Sequence, residues 1–252
     1  MKLKQLSPLF VVVAVGLFLS GCDPYADLLK KQSYKQLSPP RDAFGTGTIM
    51  TAGDPSNIKA GPDDCFPDLD PKIKEYNQVL LNAKDAKGLD VNVAANYLPV
   101  APATIRATFG YKTLKKIDVS YGPTKGNALT DEAFEQYLEG RKLKVGCARR
   151  LKDPQNRLIV GVAQVTTMTY TFHGEKTVGA SMDAAALRET LKAKGVLNYT
   201  NNQDESLTIS QPMFIAYRDV RFEDLGIPLP EASESDDATI TLKKGQFKLR
   251  SK

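Results

Sequence analysis

The clearest periodic pattern in the chain lies in residues 104–121, where apolar side chains occupy odd positions and polar side chains even positions. A period of two is typical of half-buried antiparallel strands. Leu114 breaks the alternation, as a turn or a bulge would, and we expect a bend between Gly110 and Lys116. The pattern therefore predicts a strand or hairpin over this segment.

Residues 158–172 (LIVGVAQVTTMTYTF) form a long uncharged run that is rich in β-branched side chains. Such a run favours a central strand, and His173-Gly174-Glu175 is expected to form the turn after it. Shorter apolar runs predict further strands at 48–51, 196–200, 207–210 and 213–222, with a terminal hairpin over 238–250.

Two segments carry helix signals. Thr130 stands before Asp131 and Glu132 and an apolar face, and Gly140 follows, which predicts a capped helix between them. Residues 184–194 (AAALRETLKAK) place Leu187 and Leu191 four positions apart, on one helical face.

These elements predict an α+β fold with a mainly antiparallel twisted sheet and a few short helices. A duplication of two βαββ halves is a further hypothesis. The segments that begin at Gly88 and Gly179 run in a similar order, with Phe109 matching Tyr199 and Ile117 matching Ile209. Chance similarity between parts of one α+β domain is the alternative.

Composition limits the class of protein. The 252 residues are 42% hydrophobic and 25% charged, close to the average of folded domains. This excludes a disordered, collagenous or coiled-coil chain and fits one domain or two small ones.

The amino terminus has the pattern of a secretory leader. Lys2 and Lys4 precede an apolar run over 9–19, which is too short to span a bilayer as a helix. The run ends in Leu19-Ser20-Gly21-Cys22, which resembles the lipobox of bacterial lipoproteins. An ordinary secretory peptide with a chance cysteine is the alternative.

The resemblance implies that residues 1–21 are cleaved and that Cys22 carries the acyl chains. Two or more chains hold a protein on a membrane, so the implied location is the bacterial cell envelope, with the domain exposed to the periplasm or the cell surface. Asp23 resembles an inner-membrane retention signal of enterobacterial lipoproteins, a rule that does not extend to all bacteria. The choice between inner and outer membrane stays open.

The mature chain divides into three parts by composition. Residues 22–44 have little apolar periodicity and contain Pro39-Pro40, which predicts an extended lipidated tether, with one helical turn near 26–31. Residues 45–230 are expected to form one α+β domain, in which 53–71 reads as a loop. Residues 231–252 are expected to form a basic terminal hairpin or tail.

Three cysteines are present, and lipid on Cys22 leaves an even pair. Disulfides persist outside the cytoplasm, so we expect a Cys65–Cys147 bridge. Two free thiols or a metal pair are the alternatives, although His173 is the only histidine and no CxxC spacing occurs.

Basic residues cluster at two places, which we name the predicted basic patch. It is expected to face anionic headgroups or an acidic partner, with a merely solvated surface as the alternative. Its members are Arg141, Lys142, Lys144, Arg149, Arg150, Lys243, Lys244, Lys248 and Arg250.

Residue patterns for catalysis and cofactors are nearly absent. His173 lies in an expected turn, and no GxGxxG, Walker or HExxH pattern occurs, so neither a cofactor nor a metal is expected. An acidic stretch that includes Asp63, Asp64 and Asp68 lacks the ligand alternation of a calcium loop. The net charge is small, +3 once the expected leader is removed, and together with the expected compartment it argues against nucleic acid as a partner.

These observations predict a non-catalytic binding, scaffold or accessory protein of an envelope assembly. The first alternative is a membrane-perturbing or pore-forming protein, because residues 211–222 (QPMFIAYRDVRF) resemble a strand of gasdermin-type amino-terminal domains. The second is an enzyme of unrecognised class that uses carboxylates alone.

Overall fold

The structure is a computed structural model. It describes residues 24–69, 85–122, 124–176, 189, 191–193, 199–202, 206–221 and 235–242. Much of the helix expected over 184–194 lies outside these ranges, and the described residues 189 and 191–193 are helical.

The helices are short, and most of them begin or end at residues with a clear local preference. Thr130 accepts a hydrogen bond from the backbone of Ala133, which confirms the predicted cap, and Gly140 follows the helix with φ +72°. The helices are α1 Pro24–Lys31, α2 Pro62–Cys65, α3 Val91–Ala94, α4 Pro102–Phe109, α5 Asp131–Leu138 and α6 Val145–Lys152.

The strands dominate the described chain, and every strand pair within it is antiparallel. They are β1 Lys35–Arg41, β2 Ile49–Thr51, β3 Asp54–Ala60, β4 Asp85–Asp90, β5 Tyr111–Tyr121, β6 Thr124–Ala128, β7 Lys142–Lys144, β8 Asn156–Val165, β9 Met168–Lys176, β10 Tyr199–Asn202, β11 Ser206–Ile209, β12 Met213–Val220 and β13 Thr239–Thr241. The predicted α+β fold with mainly antiparallel sheet is confirmed.

The strands form two sheets and a two-stranded ribbon. The first sheet has the order β1-β12-β8-β2-β3, and β6 also pairs with β8. The second sheet has the order β10-β11-β9-β5-β4, and β7 with β13 forms a two-stranded ribbon.

The main core lies between the two sheets. Ala163 and Val165 from the first sheet pack in the same cluster as Val119 and Phe172 from the second. A smaller cluster joins the disulfide to α5, α6 and the ribbon, and it includes Phe66 and Phe134.

The hairpin predicted over 104–121 is wrong in its first half. Pro102 stands in the first turn of α4, and Gly110 ends it in the left-handed conformation with φ +66°. Strand β5 then runs without a bend, and its register shifts near Leu114. The break in alternation is therefore a bulge, because a bulge lets the strand turn an extra side chain inward.

The central strand predicted over 158–172 is two strands. The chain leaves the first sheet after Val165 and enters the second sheet at Met168. The turn expected at His173-Gly174-Glu175 is also wrong, because β9 continues to Lys176 and pairs with β5 throughout.

The lipidated tether predicted over 22–44 is corrected by the structure. A helix does form near 26–31 as expected, but β1 follows and pairs with β12 of the first sheet. Leu37 and Phe44 are buried. The adjacent prolines are compatible with this strand because it lies at the sheet edge and shifts register there.

Two other loop predictions change. The segment 53–71, expected as loop, contains the edge strand β3 and helix α2. The terminal segment 231–252, expected as hairpin or tail, pairs its strand β13 with β7 and buries Leu242. Residues 243–252 lie outside the described residues.

The predicted duplication fails in its first half. That half reads strand, helix, helix, strand, because Phe109 ends a helix whereas its expected match, Tyr199, begins a strand. Ile117 and Ile209 do lie in strands of the same sheet.

Candidate functional site

The amino-terminal segment docks firmly on the fold. Cys22 lies outside the described residues, and α1 begins at Pro24. Leu29 of α1 is buried in the main core, and Tyr34 follows it there.

Arg218 secures this docking from the first sheet. One of its nitrogens donates to the backbone oxygen of Gln32 at 2.7 Å, and the guanidinium lies 4.4 Å from the ring centroid of Tyr34. Lys35 forms a 2.6 Å ion pair with Asp219 on the same strand as Arg218. Residues 32–35 are thus held in place by the first sheet.

Cys65 and Cys147 form a disulfide, as predicted, with their Cα atoms 5.6 Å apart. The bond joins the last residue of α2 to the first half of α6. Both sulfur-bearing side chains are buried in the smaller core cluster.

Arg141 of the predicted basic patch is occupied within the fold. Its guanidinium lies 4.0 Å from the ring centroid of Tyr137 and donates to the backbone oxygen of Pro67 at 3.2 Å. The Tyr137 hydroxyl donates to the same oxygen at 2.6 Å. Burial raises the pKa of Tyr137, although Arg141 opposes that effect. Arg141 therefore supports local packing.

Arg149 is also paired, with the carboxylate of Asp236. This partner is 87 positions away in sequence and arrives because β13 pairs with β7. Lys142, Lys144 and Arg150 remain exposed. The other members of the predicted patch, Lys243, Lys244, Lys248 and Arg250, lie outside the described residues.

The structure replaces this part of the predicted basic patch with a surface of both charges. A cleft of about 450 Å³ opens beside the disulfide, and we call it the mixed-charge cleft. Its lining residues are Lys59, Asp63, Asp64, Lys144, Gly146, Cys147, Arg150, Asp236 and Asp237.

Three structural elements hold the walls of the mixed-charge cleft. The disulfide fixes α2 against α6. The third element is the segment 236–238, which binds α6 through its backbone. Gly146 N donates to Asp236 O at 3.0 Å, and Val145 N donates to Ala238 O at 2.7 Å. The contact at Gly146 is close, because a Cβ there would lie 3.2 Å from Asp236 Cβ and would force a small shift of one of the two segments.

Sequence reasoning missed Lys59, Asp236 and Asp237 as members of this site. Asp236 and Asp237 lie in the segment expected as a terminal hairpin or tail, and Lys59 lies in a segment expected as a loop. No local pattern signals their meeting, because the pairing of distant strands produces it.

Two acidic side chains between residues 54 and 64 accept hydrogen bonds from nearby backbone N–H groups. Asp54 accepts hydrogen bonds from Ser56, and its pKa is lowered chiefly by those bonds. Asp64 accepts from Gly61 N at 2.7 Å. Within the described ranges, no three His, Cys, Asp or Glu side chains gather in a group able to hold a metal ion.

His173 lies on β9, where its Nε2 contacts Asp118 at 3.0 Å. Partial burial raises the pKa of Asp118, but hydrogen bonds from Gly88 N and His173 outweigh this, so the pKa is lowered. The histidine is about half exposed, at 48%.

Among the described helices, none combines the length and apolar character that a bilayer crossing requires.

No protein-family model matches the chain, and no curated protein matches it. Among solved structures, the chain is similar to a bacterial gasdermin from Bradyrhizobium tropiciagri. The identity is 16%, the alignment covers 86% of this chain and 89% of that chain, and the TM-score is 0.41. A similarity at this level does not assign the chain to a family.

Proposed function

We propose that this chain is a lipid-anchored protein of the bacterial cell envelope that acts by binding. Acyl chains on Cys22 would hold the folded body against a membrane, where it would serve as a non-catalytic binding or accessory subunit. The observation that carries the proposal is the docking of α1. It begins two residues after the lipobox cysteine and is fixed by Leu29 and Arg218.

This short connection has a physical consequence for an anchored protein. A long flexible tether would let the domain sample many orientations. With only Asp23 between Cys22 and Pro24, the lipid would instead fix one region of the domain beside the bilayer.

The disulfide supports the proposed compartment. Disulfides form and persist in oxidising environments such as the bacterial periplasm and are rare in the cytosol. The Cys65–Cys147 bond uses both cysteines that the proposed lipidation leaves.

The anchoring half of the proposal is tested with Cys22→Ala. We expect the wild type to incorporate labelled fatty acid and to stay with membranes through carbonate extraction. The variant should incorporate none and should leave the membrane fraction. Cys65→Ala with Cys147→Ala is the matched control, because it also removes cysteines but should leave labelling unchanged. A variant at Cys22 that is still acylated and retained would contradict the proposal.

The binding half is tested by site-specific photo-crosslinking in cells. A crosslinking residue at Asp237, in the mixed-charge cleft, should give a defined adduct that one at Lys112, on the second sheet, does not give. Absence of any adduct from either position would count against a binding role. Release of dye from anionic vesicles by the purified chain would instead favour the membrane-perturbing alternative.

A further inference from the structure

Most of the charged side chains that line the mixed-charge cleft do not form ion pairs. Asp236 is engaged by Arg149, and Asp64 accepts from the backbone of Gly61. Five other lining side chains have no ion-pair partner among the described residues: Lys59, Lys144, Arg150, Asp63 and Asp237.

The framework around the cleft fixes the backbone that carries Asp63, Arg150 and Asp237. Here the disulfide fixes α2 to α6, and the backbone bonds of Val145 and Gly146 fix the loop that carries Asp237. A fixed backbone leaves only the side chains to be ordered when a ligand binds, which lowers the cost of binding.

The number and type of charges indicate the chemistry of that ligand. Two lysines and an arginine suit a phosphate, and the arginine adds a planar donor group. Two carboxylates suit a primary ammonium, which donates up to three hydrogen bonds. The volume of about 450 Å³ is in the range of small-molecule sites.

We propose that the mixed-charge cleft binds a small zwitterion that carries a phosphate and a primary ammonium, of the phosphoethanolamine type. The proposal rests on the proposed function, because it names what a binding protein held at a lipid surface would recognise. The same chemistry occurs in a bilayer headgroup and in a free solute.

The binding experiment uses the full chain in detergent, with phosphoethanolamine as the probe in titration calorimetry at about 0.15 M salt, where weak surface electrostatics are screened. We expect saturable binding. Ethanolamine lacks the phosphate group and glycerol phosphate lacks the ammonium group, so each should bind about tenfold more weakly than phosphoethanolamine. Phosphocholine should also be weaker because its ammonium has no N–H. Equal binding of glycerol phosphate would overturn the ammonium half, and no binding of phosphoethanolamine would overturn the proposal.

Matched variants test the location. Lys144→Gln should weaken binding about tenfold, because Lys144 lines the cleft and its side chain does not cap α6. Lys142→Gln, on the same strand, is the control and should bind like the wild type. Arg150→Gln is the second lining variant if Lys144→Gln does not fold by circular dichroism. Unchanged binding in the folded lining variant would place the ligand elsewhere.

Asp63→Asn tests the ammonium contact separately. It should abolish the preference for phosphoethanolamine over glycerol phosphate while leaving binding of glycerol phosphate in place. A retained preference would contradict the assigned role of Asp63.

Lipid competition identifies the source of the ligand, and Cys22→Ala separates this site from the anchor. Mixed micelles with phosphatidylethanolamine that compete with the free probe, while mixed micelles with phosphatidylcholine do not, would assign a lipid headgroup. Competition by neither would assign a free solute. Cys22→Ala should bind phosphoethanolamine like the wild type. A failure of anchoring and a failure of this cleft are therefore distinguishable.

Discussion

Gly174 lies opposite Leu114 where strand β9 pairs with the bulged part of β5. A Cβ at Gly174 would lie 2.0 Å from the backbone oxygen of Thr113. Backbone cannot swing away as a flexible side chain can, so the two strands would have to separate. We expect Gly174→Ala to lower the free energy of unfolding by about 1–3 kcal/mol, measured by urea denaturation.

The control for this change is Gly45→Ala. Its Cβ would meet Pro62 at an ordinary contact distance of 3.4 Å. Alanine at such a site costs little and can stabilise by restricting the unfolded chain. Equal losses in both variants would show that the close approach at Gly174 has no effect.

Asp118 predicts a pH-dependent contribution to stability. Its pKa lies below the ordinary value of 3.8, so the folded state favours the carboxylate more than the unfolded state does. The contribution is therefore present above that value and is lost as the pH falls through the lowered pKa. At pH 7, Asp118→Asn should lower the free energy of unfolding by no more than about 1 kcal/mol, and Tm should fall accordingly. The difference in Tm between the variant and the wild type should fade below pH 4.

Asp42, an exposed carboxylate with no partner among the described residues, is the control for this substitution. Asp42→Asn should leave Tm unchanged at pH 7. A deficit for Asp118→Asn that persists at the lowest pH would instead point to lost packing.

At the level of elements, β1 makes the amino-terminal segment a part of the folded body. Leu37 is fully buried and packs with Met50 and Ile159. Leu37→Ala should therefore lower the free energy of unfolding by about 2–5 kcal/mol, measured by chemical denaturation. Lys31→Ala, at an exposed position in α1, should have little effect. A neutral Leu37→Ala would restore the view of this segment as a loose tether.

Elements with strong local signals could be predicted from sequence. The helix after Thr130 is one, because its cap and its following glycine are local features. Pro102 and Gly110 are equally local signals for α4, but the chance alternation at 104–109 favoured a strand instead. The prolines of β1 indicated extended chain correctly, but only tertiary pairing could show that this chain belongs to a sheet edge.

The division of 158–172 into two strands could not be predicted. Thr166 and Thr167 are β-branched and favour strand themselves, so nothing local marks the point where the chain changes sheets. Pairing with distant strands determines that point.

At the scale of the whole molecule, the Cys65–Cys147 bond closes a loop between residues 82 positions apart. A cross-link over so long a separation restricts the unfolded chain strongly, by about 4 kcal/mol in the chain-entropy view. We expect Cys65→Ala with Cys147→Ala to lower the free energy of unfolding by about that amount in denaturant titrations. A reduced wild type should match the double variant, and a double variant as stable as oxidised wild type would contradict the expectation.

The candidate site was predictable only in part. Counting the cysteines predicted the disulfide. The cluster of basic residues predicted a charged surface around residues 141–150. The carboxylates that lie beside these basic residues could not be predicted, because Asp236 reaches Arg149 through the pairing of β13 with β7. A cluster of one sign in sequence thus became a surface of both signs in the fold.

One continuous segment runs from the first sheet into the second, and this connection affects how the molecule unfolds. Residues 156–176 supply an inner strand to each sheet, and both sheets bury side chains in one core. Neither sheet can melt without exposing the other's apolar face, so thermal unfolding should be cooperative, giving a single calorimetric peak whose van't Hoff and calorimetric enthalpies agree.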